Sequence, residues 1–278
     1  MAEPVGDLGR EVSFESSRLR RVGRNLSGLA GSLRVMADWR SRWRLLRAKA
    51  AARSSSAELE PVALRIRGPA PLEVLVRPGS GDMGILYEHY ARDSHLPPEG
   101  LEIRQACELG AGSALALADL ARRHPRARLL GVEADPGNAA MARRNLEAFG
   151  ARCTLVEAAV WDSDGRVVLG GEDTGLLAIR EGGSEAGVEV EAITMDRLLA
   201  EHMPSGEIDF MHLDIAGAEP RVLTPDAEWL DRVVSITVQI YPDRGMSAAR
   251  CAQILAPRGF EVTEEMHWWG GQVFGVRG

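Results

Sequence analysis

Apolar and polar positions along this chain change period more than once. In "MADWRSRWRLLRAKAAAR" (36–53), Met36, Trp39, Trp43, Leu46 and Ala50 fall at helical spacing, with Arg40, Arg44 and Arg47 beside that stripe. "RSSSAELEP" (53–61) has the composition of a linker. "VALRI" and "LEVLV", split by "RGPAP", alternate with period two and predict a small hairpin of half-buried strands. "SGDMGILYEHYA" predicts a short helix starting near Ser80 to Asp82, both suitable caps.

After "LPPEG" the pattern settles. "EIRQACEL", "ARLLGVE", "RCTLVEAAV", "GVEVEAIT", "EIDFMHLDI" and "RVVSITVQI" read as strands. "ALALADLARRH", "PGNAAMARRNLEAFG", "MDRLLAEH", "AEPRVL" and "MSAARCAQILAPRG" read as the helices between them. That is βαβ wiring around a mostly parallel sheet, an α/β fold. "FEVTEEM" and "GQVFGVR" close the sheet without an intervening helix. The chain therefore divides into a basic helical N-terminal extension (1–57), a hairpin-and-helix lead-in or lid (58–101), and a ligand-binding α/β domain (102–278).

Composition narrows the class. Of 278 residues, 45% are apolar, ample for a core. Cys107, Cys153 and Cys251 lie far apart with no CxxC, which argues against a disulfide framework and suits a reducing compartment. No run approaches the roughly 18 apolar residues of a membrane span, and the opening "MAEPVGDLGREV" lacks a basic-then-apolar signal. A soluble, cytoplasmic protein without a membrane partner is the expectation.

Charge is uneven. Residues 10–53 hold twelve Arg or Lys against three acids, +9 in a chain of net charge −7, so the remainder carries −16. Lys49 is the only lysine, a bias of the kind a GC-rich genome imposes. A basic amphipathic helix can touch nucleic acid or a membrane surface. Here the acidic remainder offers no continuation of that footprint, so no nucleic-acid partner is expected. The helix is expected to pack on its own acidic body or on a second copy, which would give a homo-oligomer through the N-terminal helix.

Candidate chemistry begins at "ELGAGSALALADL" (108–120), where an apolar strand ends in Glu108 and Gly110-Ala111-Gly112-Ser113 turns into a helix. Glycines there let backbone approach a ligand, and a helix start presents free N–H groups. The next strand ends in Glu133, 21 residues after Gly112, where an acid can accept hydrogen bonds from both hydroxyls of a ribose. The plain alternative is a strand-to-helix turn in which Glu133 caps the helix near Pro136. Dinucleotide sites use GxGxxG, but Leu115 occupies the third glycine position. Glu108 would repel a pyrophosphate and could face a sulfonium or ammonium group. S-adenosylmethionine is the cofactor this pattern suits.

Taken together, "RPGSGDMGILYEHY", "ELGAGS", "LLGVEADPGNAAMARRNL", "EAAVWDSDG", "ITMDRLL" and "IDFMHLDIAGAE" resemble the FkbM family of S-adenosylmethionine-dependent methyltransferases, over roughly 77–265. The resemblance implies a class I methyltransferase fold, a Rossmann-like, mostly parallel seven-stranded sheet with helices on both faces. It implies methyl transfer to oxygen on a small molecule, a sugar or a secondary metabolite of the antibiotic-biosynthesis kind. It places the cofactor on Ser80, Asp82, Glu108, Gly110, Ala111, Gly112, Glu133, Ala134, Ala158, Ala159, Val160 and Asp214.

The departures matter too. Where the family usually shows Lys-Ile-Asp-x-Glu-Gly, this chain has His212-Leu213-Asp214-Ile215-Ala216-Gly217, and a later Glu-x-His becomes Gln239 and Tyr241. Few acidic ligands remain for a divalent cation that prefers several oxygens, so no metal is expected. A metal-assisted O-methyltransferase and a catalytically weak, methyltransferase-like binding protein stand as alternatives. A nicotinamide oxidoreductase is disfavoured, since its Tyr–Lys pair would have only Lys49 to draw on.

Ligands in open α/β sheets bind beyond the carboxyl ends of strands, and "HLDIAGAE" (212–219) follows such a strand. Asp214 is thereby a catalytic candidate, with His212 as an assisting base whose ordinary pKa suits neutral pH. Glu219 falls in the first turn of the next helix, where a carboxylate is favoured for structural reasons alone. His267, in "MHWWGG", is a further catalytic candidate, while Tyr241, Trp268 and Trp269 could wall a ring-shaped acceptor. His89 and His95 flank Tyr90 in the lead-in and could contribute to a lid.

Overall fold

A computed structural model describes residues 28–54, 59–170, 178–180, 187–241, 244–267 and 270–278, without the side chains of 178–180 and of His267. Residues 28–35 are helical (α1) and lead into α2 (Trp39–Ser54). The hairpin follows as β1 (Val62–Ile66) and β2 (Leu72–Val76), paired antiparallel from Val62 opposite Val76 to Ile66 opposite Leu72. Helix α3 (Asp82–Arg92) begins after Gly81 and ends at Asp93, which adopts a left-handed conformation (φ 55°).

The main sheet has seven strands: β3 (Gln105–Leu109), β4 (Arg128–Glu133), β5 (Cys153–Glu157), β10 (Ile208–Leu213), β11 (Val233–Ile240), β12 (Phe260–His267) and β13 (Gly270–Arg277). Their order is β12-β13-β11-β10-β3-β4-β5. The first five in sequence run parallel, and β13 inserts antiparallel between β11 and β12. The topological switch point lies between β3 and β10, where the crossovers reverse direction and a ligand crevice opens.

Helices α4 (Leu115–Arg123), α5 (Pro136–Leu146), α6 (Met195–His202), α7 (Glu219–Val222) and α8 (Ala248–Leu255) connect these strands. Period-two alternation sends Cys107, Leu109, Met211 and Leu213 into one apolar cluster with Leu198, Leu199, Ile254 and Leu255 of α6 and α8. Ala106 and Phe210 point to the opposite face and join Leu117 and Ala142 of α4 and α5. Glu108 and His212 lie in register opposite each other, with the parity of that second face, at its C-terminal end.

"RCTLVEAAV" and "GVEVEAIT" behave differently from the sequence expectation. The first splits at Ala158, with β5 entering the main sheet and β6 (Ala159–Val160) leaving it. The second forms β9 (Val188–Ile193) in a separate four-stranded sheet of order β6-β9-β7-β8, which includes the unanticipated β7 (Gly165–Gly170) and β8 (Ala178–Arg180). Apolar period identifies strands; it does not say which sheet they join.

The N-terminal helix also turns a different face inward. Ser41, Leu45 and Ala48 are buried, while Trp39 and Trp43 are 70% and 57% exposed. The Ser41 hydroxyl accepts the Arg65 N–H at 2.9 Å, and Arg44 donates to the Ala63 carbonyl at 3.1 Å. Met36 and Leu45 enter the same apolar cluster as the hairpin and α4, so the extension and lead-in share a core with the sheet. Among the described residues, no helix is long and apolar enough to cross a membrane.

Leu45→Ala should therefore cost about 2–5 kcal/mol of stability, as buried leucines do. Trp43→Ala, on the exposed face, should stay within about 0.5 kcal/mol of wild type. Chemical denaturation of both variants checks the assignment of faces.

Candidate active site

Backbone geometry at the ends of β3 and β10 builds the floor of the site. Gly110 turns with φ 83°, and a Cβ there would stand 1.9 Å from the carbonyl oxygen of Asp214. Only glycine meets both demands. The Asp214 N–H donates to the Leu109 carbonyl at 2.9 Å, and the N–H groups of Gly110 and Ala111 donate to Val132. A Cβ at Gly112 would meet nothing within 4 Å, so the loop faces open space there.

That space is a cavity of about 620 Å³. Every residue expected to hold the cofactor lines it: Ser80, Asp82, Glu108, Gly110, Ala111, Gly112, Glu133, Ala134, Ala158, Ala159, Val160 and Asp214, with His212 beside them. The buried Glu133 carboxylate accepts N–H groups from Gly112 at 2.6 Å and Asp135 at 2.8 Å. Burial lifts its pKa above the usual carboxylate range against the pull of those donors. The cap of α5 is Asp135, whose side chain accepts the Asn138 N–H at 2.6 Å, followed by Pro136 in the first turn. That leaves Glu133 free of capping duty.

Two further walls come from the lead-in. Arg77 grips Asp82 through Nε (2.9 Å) and Nη2 (2.8 Å), and Nη2 also donates to Asn138 at 2.7 Å. Ser113 donates to Asp82 at 2.8 Å. Burial pushes the Asp82 carboxyl upward, but the Arg77 and Ser113 hydrogen bonds outweigh it and hold it low. Asp82 thus braces the lead-in against the glycine loop. Asn145 completes the seam, exchanging hydrogen bonds with the Leu75 backbone and donating to the Ser113 carbonyl at 2.9 Å.

The second wall is His95, carried by the loop after α3. Its ring lies 4.6 Å from that of His212, centroid to centroid. Helix α3 is anchored there by His89, whose Nε2 meets the buried Asp119 carboxylate at 3.0 Å, with Arg122 and Arg123 on the same carboxylate. Burial raises the Asp119 pKa, but His89 and the two arginines outweigh it and bring it to about 2.

A smaller cavity of about 260 Å³ adjoins the first and shares Ile85, His95 and Asp214 with it. Its other walls include Arg92, Gln239, Tyr241, Glu265, Gln272 and Phe274. Tyr241 donates its hydroxyl to Asp214 Oδ1 at 2.7 Å. Burial, then the neighbouring Asp214 charge, holds that phenol well above its ordinary pKa, so it stays a donor. His212 lines the larger cavity alone; the imidazole reaching both is His95. His267 ends β12 opposite Gly270, but its side chain, like Trp268 and Trp269, lies outside the described residues.

The arrangement can be placed among known proteins. A methyltransferase FkbM domain profile matches residues 108–262, more than half of the chain and the segment that builds both the glycine loop and Asp214. The chain belongs to the FkbM methyltransferase family. Among curated proteins, the release factor glutamine methyltransferase of Geobacter sulfurreducens is 42% identical over 55 residues, 20% of this chain and 19% of that one. The chain thus spans about a fifth of that relative's length. Solved structures with a similar course include a precorrin-6y C5,15-methyltransferase from Geobacter metallireducens (15% identity, TM-score 0.41, covering 67% of this chain and 95% of that one). Another is a methyltransferase from Pyrococcus furiosus (15%, 0.42, 85% and 98%). A third is the T. thermophilus 16S rRNA N2 G1207 methyltransferase in complex with AdoMet and guanosine (17%, 0.44, 79% and 51%).

In this family member the loop carrying Asp214 is pinned by Glu219, whose buried carboxylate accepts N–H groups from Ile215 at 3.0 Å and Gly217 at 2.8 Å. Burial, and then the Asp214 charge, raises the Glu219 pKa from 4.5 to about 7. The folded chain therefore holds this proton more tightly than the unfolded chain. Its stabilising share is full below about pH 4.5 and is lost as pH rises towards 7. Glu219→Gln lacks that titration. Its stability relative to wild type should rise between about pH 5 and pH 8 by on the order of 1–3 kcal/mol, read from denaturation curves at each pH.

Proposed function

We propose that the protein is an S-adenosylmethionine-dependent O-methyltransferase acting on a hydroxyl of a small, polar molecule. The observation that carries this reading is that two adjoining cavities share Asp214 and His95. A donor in the larger and an acceptor in the smaller would meet at that wall.

The larger cavity fits the donor. Glu133 presents a buried carboxylate suited to a ribose diol, Gly112 leaves room for close approach, and Ala158 to Val160 give an apolar flank. Glu108 and the lead-in wall of Ser80 and Asp82 would border the amino-acid end. When bound, S-adenosylmethionine supplies a methyl group on a cationic sulfur.

The smaller cavity favours a hydroxyl-bearing acceptor. Gln239, Gln272, Arg92 and Tyr241 offer donors and acceptors, while Ile85 and Phe274 give apolar surface for a ring. Glu88, Asp93, Asp214 and Glu265 also border it, a charge that repels a phosphate backbone and favours a small molecule over nucleic acid. Asp214 is oriented by the Tyr241 hydroxyl and can take the acceptor's proton as the oxygen attacks. Holding both reactants in adjoining cavities supplies the positioning on which a displacement at carbon depends.

Two experiments test this. Glu133→Ala should weaken donor binding about 10–100-fold in calorimetry, the worth of one or two hydrogen bonds to a charged group, while NAD gives no heat with wild type. Asp214→Asn should lower methyl transfer about 10²–10⁴-fold in assays with labelled donor against a panel of sugars and phenols. Donor binding by wild type without transfer to any hydroxyl compound would favour a binding protein instead.

A further inference from the structure

His95, Glu108 and His212 contribute one ligand atom each to a cluster whose members all lie within 4.8 Å of one another. It is the one such grouping of His, Cys, Asp or Glu among the described residues. The sequence spreads it over more than a hundred positions, and the fold closes it. Glu108 and His212 face each other across the β3–β10 register, and His95 arrives from the lead-in.

The polar groups of this cluster are left over. His212 is only 3% exposed, yet neither ring nitrogen has a hydrogen-bond partner, and Glu108 Oε2 has none either. Glu108 Oε1 stands 3.6 Å from His212 Nδ1, beyond a hydrogen bond. Buried polar atoms are almost always satisfied, and an imidazole orphaned at both nitrogens calls for a reason. The His95 ring packs against His212 at 4.6 Å, which brings a second imidazole to the same place.

We propose that His95, Glu108 and His212 form a binding site for one divalent transition-metal ion. Two imidazoles and one carboxylate favour a zinc, iron(II) or cobalt(II) type ion over magnesium or calcium, which take all-oxygen sets. Three protein ligands leave coordination positions open, as at catalytic metal sites. His95 borders both cavities, so an open position can face the acceptor. A cation there would lower the pKa of an acceptor hydroxyl. That role rests on the O-methyl transfer reading; the site itself does not. The sequence expectation of no metal rests on oxygen ligands; these imidazoles come together only in the fold.

Cobalt(II) is the probe. Titrated into the chelator-stripped full-length protein, it should give a visible ligand-field spectrum saturating at one equivalent and abolished by zinc. His95→Ala, in a half-buried loop, should weaken cobalt and zinc binding by about tenfold or more, and Glu108→Gln likewise, with unchanged circular dichroism. Wild type showing no cobalt spectrum and no zinc heat at millimolar metal would overturn the proposal, as would wild-type affinity retained in both His95→Ala and His212→Ala. The measurement needs neither methyl donor nor acceptor, so its failure leaves the transfer reading standing, and a failed transfer assay leaves the metal result standing.

Discussion

The tips of β3 and β10 are fastened together: Asp214 donates its N–H to the Leu109 carbonyl, and its own carbonyl lies where a side chain on Gly110 would have to be. This close approach fixes the rest of the site. It brings the turn that would cradle the donor and the carboxylate that would meet the acceptor into one crevice. Because the switch point of the sheet lies between β3 and β10, the crevice opens where crossovers leave in opposite directions.

The lead-in shares an apolar core with the sheet and adds polar contacts at the crevice. Arg77, Asp82, Ser113 and Asn138 form one connected hydrogen-bonded network over the glycine loop. Asp119 clamps α3 through His89. Buried networks of this kind are costly when broken and rigid when complete. Their effect here is to hold His95 at the junction of two cavities, which makes residues 77–95 part of the site wall.

Strand register extends a polar row across the sheet towards the acceptor side. Glu108 pairs with His212 and His212 with Thr237; one step beyond, Gln239 pairs with Gln272 and Gln272 with Glu265. A sheet face that is apolar at mid-strand becomes polar at the carboxyl ends, where ligands lie. Gln239 keeps hydrogen-bonding capacity in this row without adding negative charge at the mouth of the smaller cavity.

Much of this was legible in order of residues alone. The period of apolar positions gave the parallel strands and their helices, and the final two strands were recognisable because nothing helical separates them. The glycine loop, Glu133 and the Asp214 turn could be read because each is a short-range device whose chemistry depends on neighbours in sequence. Tertiary structure decided the remainder. Which sheet β9 joins, which face of α2 is buried and which histidine reaches both cavities depend on contacts between distant segments. Trp39 and Trp43 show the limit most clearly, since helical spacing defines a stripe but not the surface it meets. His95 shows it for the site, because a loop residue has no period to betray it. Its place beside His212 exists only once α3 has been clamped onto α4.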